Sequence, residues 1–399
     1  MNTCIRIALY SHDTVGLGHM RRNLLIASAL ASGPLEAAIL MIAGNSHANA
    51  FSPPTGVDSV TLPALHKNAE GGYGSGRLPL SLQRLVTLRA RTVRAALEAF
   101  DPHLLIVDKV PRGALGELMP ALELLKARGR CRCVLGLRDV LDEPEIVRDE
   151  WAQAQNDNAI DEHYAAVWVY GDPKVYDVAH EYGFSSTVCS RMTYTGYLDQ
   201  HARLVPPPEA APGTLTGLPA APNIVCSVGG GQDGACVAQA FAAADLPRRS
   251  SAVLLTGPFM PPQTRHQLTR ASRCNGRLLV LGFVTEATRL VASADRVVVM
   301  GGYNTIAEVL SFGKTALVVP RVKPRREQLI RAERLQRLGL LDVLHPERLG
   351  PEAISRWLAS SRREAPPRTA VDLAGLSRIT LLARELLQSV EVRVPAYAP

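Results

Sequence analysis

The sequence predicts an α/β protein made of two doubly wound, parallel-sheet domains. Short apolar runs alternate with longer segments of helical spacing along almost the whole chain. Apolar runs without polar alternation are typical of strands in a parallel sheet that helices cover on both faces. The length of 399 residues also exceeds what one core usually supports, so two domains are expected.

The first half of the chain is predicted to form one such domain, over residues 1–205. The strand-like runs are residues 5–10, 38–42, 103–107, 133–137 and 166–170. Between them, helical spacing is found in residues 20–31, 80–99 and 114–127. This alternation of strand and helix predicts β-α-β units joined by crossover helices.

A linker and a second domain are predicted to follow. Residues 206–222 hold six prolines and two glycines, a composition that excludes a helix interior or a central strand. In the second domain, residues 223–370, the strand-like runs are 223–228, 252–255, 278–281, 296–300 and 316–319, and residues 325–338 have helical spacing. The tail, residues 371–399, has a helical pattern and is expected to pack back on the first domain.

Composition limits the classes of function. The 47% hydrophobic and 20% charged residues are typical of a soluble globular protein. The net charge of +7 would suit nucleic acid, anionic lipid or phosphorylated small molecules. No run of Lys and Arg carries interleaved aromatic residues, so no nucleic-acid partner is expected. No signal peptide or spanning segment is recognised, so we expect a cytoplasmic protein with at most peripheral contact at the inner face of the membrane.

Metal and disulfide sites are not expected. The seven cysteines include no Cys-x-x-Cys spacing, and their number is odd. Small buried thiols in a reducing compartment explain them better than a zinc site or a disulfide framework. The sequence also lacks an Asp-x-Asp motif, so neither a metal nor another cofactor is predicted.

The first candidate site lies where the first strand meets its helix. Gly16-Leu17-Gly18-His19 follows the strand, and Arg21 and Arg22 open the helix. Such a turn is where a parallel sheet binds ligands, because the helix begins with free N–H groups. Arg21 replaces the third glycine of a dinucleotide fingerprint. His19 could act as a general base, since its ordinary pKa is close to neutrality, or it could merely cap the helix.

A second glycine turn follows the first strand of the second domain. Gly229, Gly230 and Gly231 would let backbone N–H groups approach a diphosphate closely. A tight strand-to-helix turn without a ligand is the alternative. No Gly-Lys-Ser/Thr follows, so the segment is not a P-loop.

The third turn runs from Gly301 to Glu308. Thr305 and Glu308 have the spacing of a capping box, which would give both a structural role. Alternatively, the Glu308 carboxylate could accept hydrogen bonds from the two hydroxyls of a ribose. Further along, Arg321, Arg325 and Arg326 follow a strand end where phosphate would lie, although exposed arginines are usually only solvated.

Residues 281–332 resemble the C-terminal donor-binding domain of the MurG-like glycosyltransferases, family 28. The motifs follow one another along the chain in the same order as in that family: the Gly301-Gly302 turn, Glu308, Pro320-Arg321 and Glu327-Gln328. The resemblance implies a GT-B fold, in which two Rossmann-like domains face a central cleft, the first binding the acceptor and the second a nucleotide sugar. The donor-binding residues it implies are Gly229, Gly230, Gly231, Phe283, Val284, Gly301, Gly302, Asn304, Thr305, Glu308, Arg321, Arg325 and Gln328.

The resemblance also implies roles for these residues. Phe283 and Val284 correspond to the segment that meets the nucleobase, and Glu308 to the glutamate that binds the ribose. Gly302 and Thr305 correspond to the turn facing the diphosphate. Gln328 is similar to the residue that contacts hydroxyls of the donor sugar.

The N-terminal half resembles the family less closely. His19 stands where relatives have a histidine, and Asp108 is similar to the acid that orients such a base in other GT-B enzymes. Gly18, Arg21 and Arg22 are expected on the acceptor side. The two arginines argue against a lipid-linked muropeptide acceptor. The same loop equally resembles the nucleotide-sugar hydrolase of pseudaminic acid synthesis, and the whole chain resembles a bacterial group of predicted glycosyltransferases.

The hypothesis from the sequence is therefore metal-independent sugar transfer with inversion. A nucleoside diphosphate sugar, UDP-linked, would donate to a hydroxyl acceptor, with His19 as general base oriented by Asp108. Hydrolysis or 2-epimerisation of a UDP-sugar on the same fold is the alternative within enzymology. A non-catalytic nucleotide-sugar-binding partner is the alternative outside it.

Overall fold

A computed structural model describes residues 4–12, 18–44, 53–67, 72–76, 78–204, 223–274, 276–282, 284, 286–360 and 366–391. The predicted linker, residues 206–222, lies outside the described residues. So do Gly16, Phe283 and the end of the tail from residue 392 onward.

The first domain is built on a seven-stranded parallel sheet with the order β3-β2-β1-β6-β7-β8-β9. Its strands are β1 (Arg6–Ser11), β2 (Ala38–Ala43), β3 (Val57–Thr61), β6 (Leu104–Asp108), β7 (Arg132–Arg138), β8 (Ala166–Tyr170) and β9 (Met192–Tyr194). A separate antiparallel pair consists of β4 (Leu65–Lys67) and β5 (Tyr73–Ser75). From β1 the chain adds strands first on one side, as β2 and β3, and then on the other, as β6 to β9. The ligand-binding crevice of a doubly wound sheet opens where the strand order reverses in this way, between β1 and β6.

Helices join the strands of this sheet. They are α1 (Gly18–Ser32), α2 (Leu82–Phe100), α3 (Met119–Arg128), α4 (Pro144–Gln153), α5 (Asn156–His163), α6 (Val178–Tyr182) and α7 (Ser186–Ser190). Helix α2 begins at the N-cap Ser81, whose side chain accepts from the Arg84 N–H, and ends at Asp101 in a left-handed conformation.

The second domain contains a six-stranded parallel sheet with the order β12-β11-β10-β13-β14-β15. The strands are β10 (Ile224–Ser227), β11 (Ala252–Leu255), β12 (Leu278–Leu281), β13 (Arg296–Val299), β14 (Thr315–Val318) and β15 (Asp342–Val343). The helices are α8 (Ala235–Ala242), α9 (Pro262–Cys274), α10 (Thr288–Ser293), α11 (Tyr303–Ser311), α12 (Glu327–Arg337) and α13 (Pro351–Ala359). Here the order turns at β10 and β13, so the glycine turns after these two strands lie side by side.

The last helix, α14 (Gly375–Glu391), packs against α1 of the first domain. A single antiparallel bridge joins Leu198 to Ala374 just before it, and Arg378 donates to the Thr195 carbonyl at 2.6 Å. Ile379 and Ala383 are fully buried on its inner face. The C-terminal helix therefore covers the first domain although it follows the second in sequence.

The structure confirms each strand predicted from an apolar run, to within a residue or two at each end. It adds β3, β9 and β15 to the two parallel sheets and the separate pair β4 and β5, none of which the sequence revealed. In β3 polar Asp58 and Ser59 interrupt the apolar pattern, and β15 has only two residues. The helix predicted over residues 114–127 begins later, at Met119, because turns occupy the preceding residues.

A buried ion pair joins the two domains. The Arg331 guanidinium, on α12, donates to both Asp139 carboxylate oxygens, at 2.8 Å from Nε and 2.7 Å from Nη2. Both side chains are almost completely buried. The Tyr197 hydroxyl donates to the same carboxylate at 2.9 Å, so Asp139 is well supplied with donors. Such a pair is costly to break, because either partner alone would be a buried, unpaired charge.

Further cations near α12 reach carboxylates of the first domain. Arg326 pairs with Glu143 at 2.6 Å, and Arg334 pairs with Glu181 at 2.5 Å. These pairs are partly exposed and so contribute less than the buried one. Together they hold α12 along the edge of the first domain.

We expect Arg331→Ala to lower the free energy of unfolding by about 3–5 kcal/mol, since it leaves the Asp139 carboxylate buried without its counter-charge. Urea denaturation followed by circular dichroism measures this. Arg337→Ala is the matched control, because Arg337 is exposed on the same helix. Equal effects of the two substitutions would contradict the role given to the buried pair.

Candidate active site

A cavity of about 320 Å³ lies between the domains, at the carboxyl ends of both sheets. Most of the residues predicted to bind substrate line it. They are Gly18, His19, Arg21, Arg22, Gly229, Gly230, Gly231, Val284, Gly302, Asn304, Thr305, Glu308, Arg321 and Gln328. Asp108 lies behind His19, and Phe283 is outside the described residues.

His19 and Asp108 form a hydrogen-bonded dyad. The His19 Nδ1 atom lies 2.6 Å from Asp108 Oδ2. Arg22 Nη2 lies farther from Nδ1, at 3.0 Å. Because a carboxylate can only accept, the shorter contact assigns the Nδ1 proton to Asp108, and in the neutral ring Nε2 is then the acceptor. Nε2 makes no hydrogen bond within the described residues, and His19 faces the cavity. The imidazole ring therefore contacts Asp108 on one side and lines the cavity on the other. A histidine that only capped the helix would not have this geometry.

Arg22 holds the Asp108 carboxylate from the other side. Its Nη2 atom lies 2.5 Å from both carboxylate oxygens, and both side chains are buried. Burial by itself would raise the pKa of Asp108, but Arg22 and His19 outweigh it and hold that pKa far below its usual range. Asp108 is thus ionised at every relevant pH. Arg22, predicted for the acceptor side, lines the cavity while its charge is compensated by Asp108.

Tyr303 connects the two charged pairs across the domain interface. It is the first residue of α11, and its ring lies 5.6 Å from the Arg22 guanidinium and 5.9 Å from that of Arg331. The ring also stacks on Tyr197, with centroids 6.0 Å apart. These cation–π and stacking contacts fix where α11 begins relative to His19.

The N-terminus of α11 opens into the cavity without a side-chain cap. Gly302 is the N-cap residue and Thr305 lies inside the helix, so the predicted capping box does not form. The free N–H groups of the first turn therefore remain available to an anion. The Asn304 side chain donates to the Gly18 carbonyl at 2.9 Å, which ties this turn to the start of α1.

Glu308 has one carboxylate oxygen to which no other described residue forms a hydrogen bond. Thr288 Oγ1 donates to its Oε1 at 2.8 Å, and Arg203 Nη1 lies 3.2 Å from the same atom. Within the described residues Oε2 makes no hydrogen bond, and the side chain lines the cavity. Burial raises the pKa of Glu308 although Arg203 and Arg21 act in the opposite direction. The geometry favours a ligand-binding carboxylate over the capping alternative.

The glycine turn after β10 faces the same cavity. Gly229 and Gly231 have positive φ values of 61° and 87°, which favour glycine. A Cβ atom on Gly231 would lie 2.1 Å from the Thr256 carbonyl oxygen, so the turn packs tightly on the loop that follows β11. Tight packing explains the glycine at position 231, while Gly229 has open space where a ligand could approach.

Gln328 and Arg321 form the far wall. The Gln328 Oε1 atom accepts from the Arg321 backbone N–H at 3.0 Å, which leaves the amide NH₂ without a partner in the described residues. The Arg321 guanidinium pairs with Asp233 at 3.0 Å and with Glu327 at 2.6 Å. Its positive charge is therefore shared with two carboxylates rather than reserved for a ligand.

Arg325, Arg326 and Gly301 differ from the sequence prediction. Arg325 does not line the cavity, because its guanidinium pairs with Asp142 of the first domain at 2.9 Å. Arg326 is similarly engaged by Glu143. Gly301 lies just behind the cavity wall, where its carbonyl accepts from Arg331 at 2.9 Å. Cations expected to meet phosphate instead hold the domains together, a partnership that local sequence cannot reveal.

Two functional candidates were missed from the sequence. Arg138, the last residue of β7, lines the cavity, and Arg203 contacts Glu308 from the segment before the linker. The position of Arg138 at the carboxyl end of a predicted strand was a usable signal. Arg203 had none, since only the fold brings it to Glu308.

In the described part of the chain, no helix is both long and apolar enough to cross a membrane.

Comparison with known proteins identifies a family for the second domain, which forms one wall of the cavity. Residues 226–372 match the model of the glycosyltransferase family 28 C-terminal domain. That range contains the glycine turn after β10, all of α11 with Glu308, and Gln328. No curated protein matches the chain at a significant level.

Solved structures resemble the chain over nearly its whole length. They include MurG of Acinetobacter baumannii (12% identity, TM-score 0.53, covering 96% of this chain and 99% of that one). SnogD of Streptomyces nogalater, a glycosyltransferase, has 16% identity and a TM-score of 0.56, with 97% and 96% covered. A putative UDP-N-acetylglucosamine 2-epimerase of Listeria monocytogenes has 11% identity and a TM-score of 0.64, with 98% of each chain covered.

At these identities the likeness is one of fold, and it includes both domains and the cleft. The family model identifies residues 226–372 as a family 28 C-terminal domain. The chain is a glycosyltransferase with the GT-B fold whose second domain matches that family.

Proposed function

We propose that this enzyme transfers a sugar from a nucleoside diphosphate donor, UDP-linked, to a hydroxyl acceptor with inversion at the anomeric carbon. One observation carries the proposal. The bare Nε2 of His19, oriented by Asp108 at 2.6 Å, faces the same cavity as the N-terminus of α11 and the free oxygen of Glu308. A base and a donor site thus meet across one cleft.

His19 is proposed as the general base. Its Nε2 would take the proton of the acceptor hydroxyl as that oxygen attacks the anomeric carbon and the bond to the diphosphate breaks. Asp108 stabilises the imidazolium that forms, because it remains ionised and accepts from Nδ1. Such assistance contributes about a hundred- to ten-thousandfold in rate.

The donor would lie along the second domain. Glu308 Oε2 would accept from the ribose hydroxyls, Val284 would lie beside the nucleobase, and the Gln328 amide would donate to a sugar hydroxyl, since all three side chains line the cavity. The leaving diphosphate would meet the N–H groups at the start of α11 and the Gly229–Gly231 turn. These dipoles are fixed before the reaction, so stabilising the leaving charge needs little reorganisation.

The acceptor is proposed to enter from the first domain, past Gly18 and Arg21. We infer that the enzyme acts in the cytoplasm, and that its basic surface would permit peripheral contact with an anionic membrane. Nucleic acid is not part of the proposal. Hydrolysis is the second candidate, because a bare imidazole nitrogen can activate water as readily as an acceptor hydroxyl.

His19→Ala should lower kcat by a hundredfold or more while the Kd for UDP changes less than threefold, since the imidazole touches the acceptor and not the nucleotide. Asp108→Asn should also lower kcat, because it no longer fixes the tautomer. Steady-state kinetics and calorimetry with UDP measure the two quantities. His266→Ala is the matched control, as His266 is exposed on α9.

Equal losses of turnover and UDP affinity in His19→Ala would show a structural role and contradict the base assignment. The same assays distinguish transfer from hydrolysis. Release of UDP at the full rate without any acceptor would replace sugar transfer by hydrolysis as the reaction.

UDP affinity should fall as the pH is lowered. The fall should begin at a higher pH than it would if Glu308 had the ordinary pKa of a glutamate. Burial raises the pKa of Glu308, and the protonated carboxyl accepts hydrogen bonds from ribose more weakly. Affinity is therefore full above the raised pKa and is lost as the pH falls through it. Glu308→Gln should bind UDP at least tenfold more weakly and without this acid limb, by calorimetry across pH.

Glu333→Gln is the control for that titration, because Glu333 is exposed on α12. Arg203→Gln should move the acid limb to higher pH, since Arg203 favours the ionised carboxylate. An identical pH profile in wild type and Glu308→Gln would refute the ribose contact.

Turnover should survive removal of divalent cations. The proposal assigns the leaving diphosphate to helix N-termini and glycine-turn N–H groups, and the sequence has no Asp-x-Asp pair to bridge a metal. Activity after dialysis against EDTA should stay within twofold of the untreated enzyme. Loss of activity that Mg²⁺ or Mn²⁺ restores would overturn this part of the mechanism.

A further inference from the structure

Arg138 stands beside the catalytic dyad on the wall of the first domain. It ends β7, whose Gly136 is in register with Asp108 of the neighbouring strand β6. Since both strands are parallel, their carboxyl ends meet at the same edge of the sheet. Arg138 lines the cavity between the domains, together with His19.

The neighbouring arginines are already neutralised, while Arg138 is not. Arg22 is held by Asp108 and Arg331 by Asp139, each within hydrogen-bonding distance. Among the residues that the structure describes, none forms a hydrogen bond or an ion pair with Arg138. Its Nε atom is buried without a partner. Burial and the charge of Arg22 accordingly lower the pKa of Arg138.

Glu327 and Asp108 attract Arg138 electrostatically, but neither forms a hydrogen bond or an ion pair with it within the described residues. Arg321 binds the Oε1 atom of Glu327 at 2.6 Å, and Asp108 is held by Arg22. A guanidinium has five N–H donors; the one on Nε of Arg138 is buried without a partner, which costs free energy, and the side chain lines the cavity. A cation in this state is suited to a bidentate oxyanion that arrives with the substrate.

We propose that Arg138 binds a phosphate or carboxylate group of the acceptor. The inference rests on the proposed function, because it takes His19 as the base of an inverting transfer. In such a displacement the nucleophile and the leaving group lie on opposite faces of the anomeric carbon. Arg138 shares the wall of His19, whereas the turn and the helix N-terminus assigned to the diphosphate belong to the second domain. An anion at Arg138 is therefore part of the attacking molecule.

The proposal predicts an anion site that stays open when the nucleotide is bound. Inorganic phosphate, titrated calorimetrically into UDP-saturated enzyme, should bind wild type and bind Arg138→Gln at least tenfold more weakly. Arg138→Lys should fall between them, since it keeps the charge without the planar fork. The Kd for UDP should change less than twofold in both variants.

Arg91→Gln is the matched control, because Arg91 is exposed on α2 and its loss changes the net charge equally. It should bind phosphate like wild type. Circular dichroism verifies the folding of Arg138→Gln, and Arg138→Lys carries the test if that variant does not fold.

Two results would overturn the assignment. Equal phosphate affinity in wild type and Arg138→Gln would mean that Arg138 is not an anion site. Exclusion of phosphate by UDP, or a tenfold loss of UDP affinity in Arg138→Gln, would assign Arg138 to the donor diphosphate. Failure of wild type to bind UDP refutes the proposed function instead, and phosphate titrated without UDP still tests Arg138.

Discussion

The ion pair between Asp139 and Arg331 determines how the two halves of the active site meet. One guanidinium binds the carboxylate at the end of β7 and also the Gly301 carbonyl, which precedes α11. The turn that would receive the donor is thus connected through a single side chain to the sheet that carries Asp108. Because the pair is buried, solvent and salt screen it little, and the start of α11 is held firmly against the first domain.

Tyr303 makes this arrangement cooperative. Its ring is shared by Arg22 and Arg331, so the charge that orients the His19–Asp108 dyad and the charge that joins the domains contact one aromatic surface. Moving α11 would disturb both pairs at once. The orientation of the His19–Asp108 dyad and the position of α11 are therefore linked through one aromatic ring.

The sequence predicted the features that depend on local residue patterns, namely strands and glycine turns. Apolar runs revealed the central strands, and glycine turns after β10 and β13 marked ligand-facing ends of the sheet, because parallel strands direct their carboxyl ends to one crevice. Pairings between distant residues were not accessible in this way. Arg325 looked like a phosphate ligand from its position after a strand, yet its partner Asp142 lies in the other domain. Arg138 was readable as a strand end, but its lack of a partner appears only in three dimensions.

The distribution of arginines explains why the donor site proposed above would depend on backbone N–H groups. Arg325, Arg326 and Arg331 hold the domains together, and Arg321 is shared by two carboxylates. On the wall formed by the second domain, the N–H groups of α11 and of the glycine turn remain for a diphosphate, whereas Arg21 and Arg138 line the cavity from the first domain. Backbone dipoles stabilise developing charge without binding the product as strongly as free cations would. In the proposed reaction, the cations therefore join the domains while backbone N–H groups stabilise the leaving diphosphate.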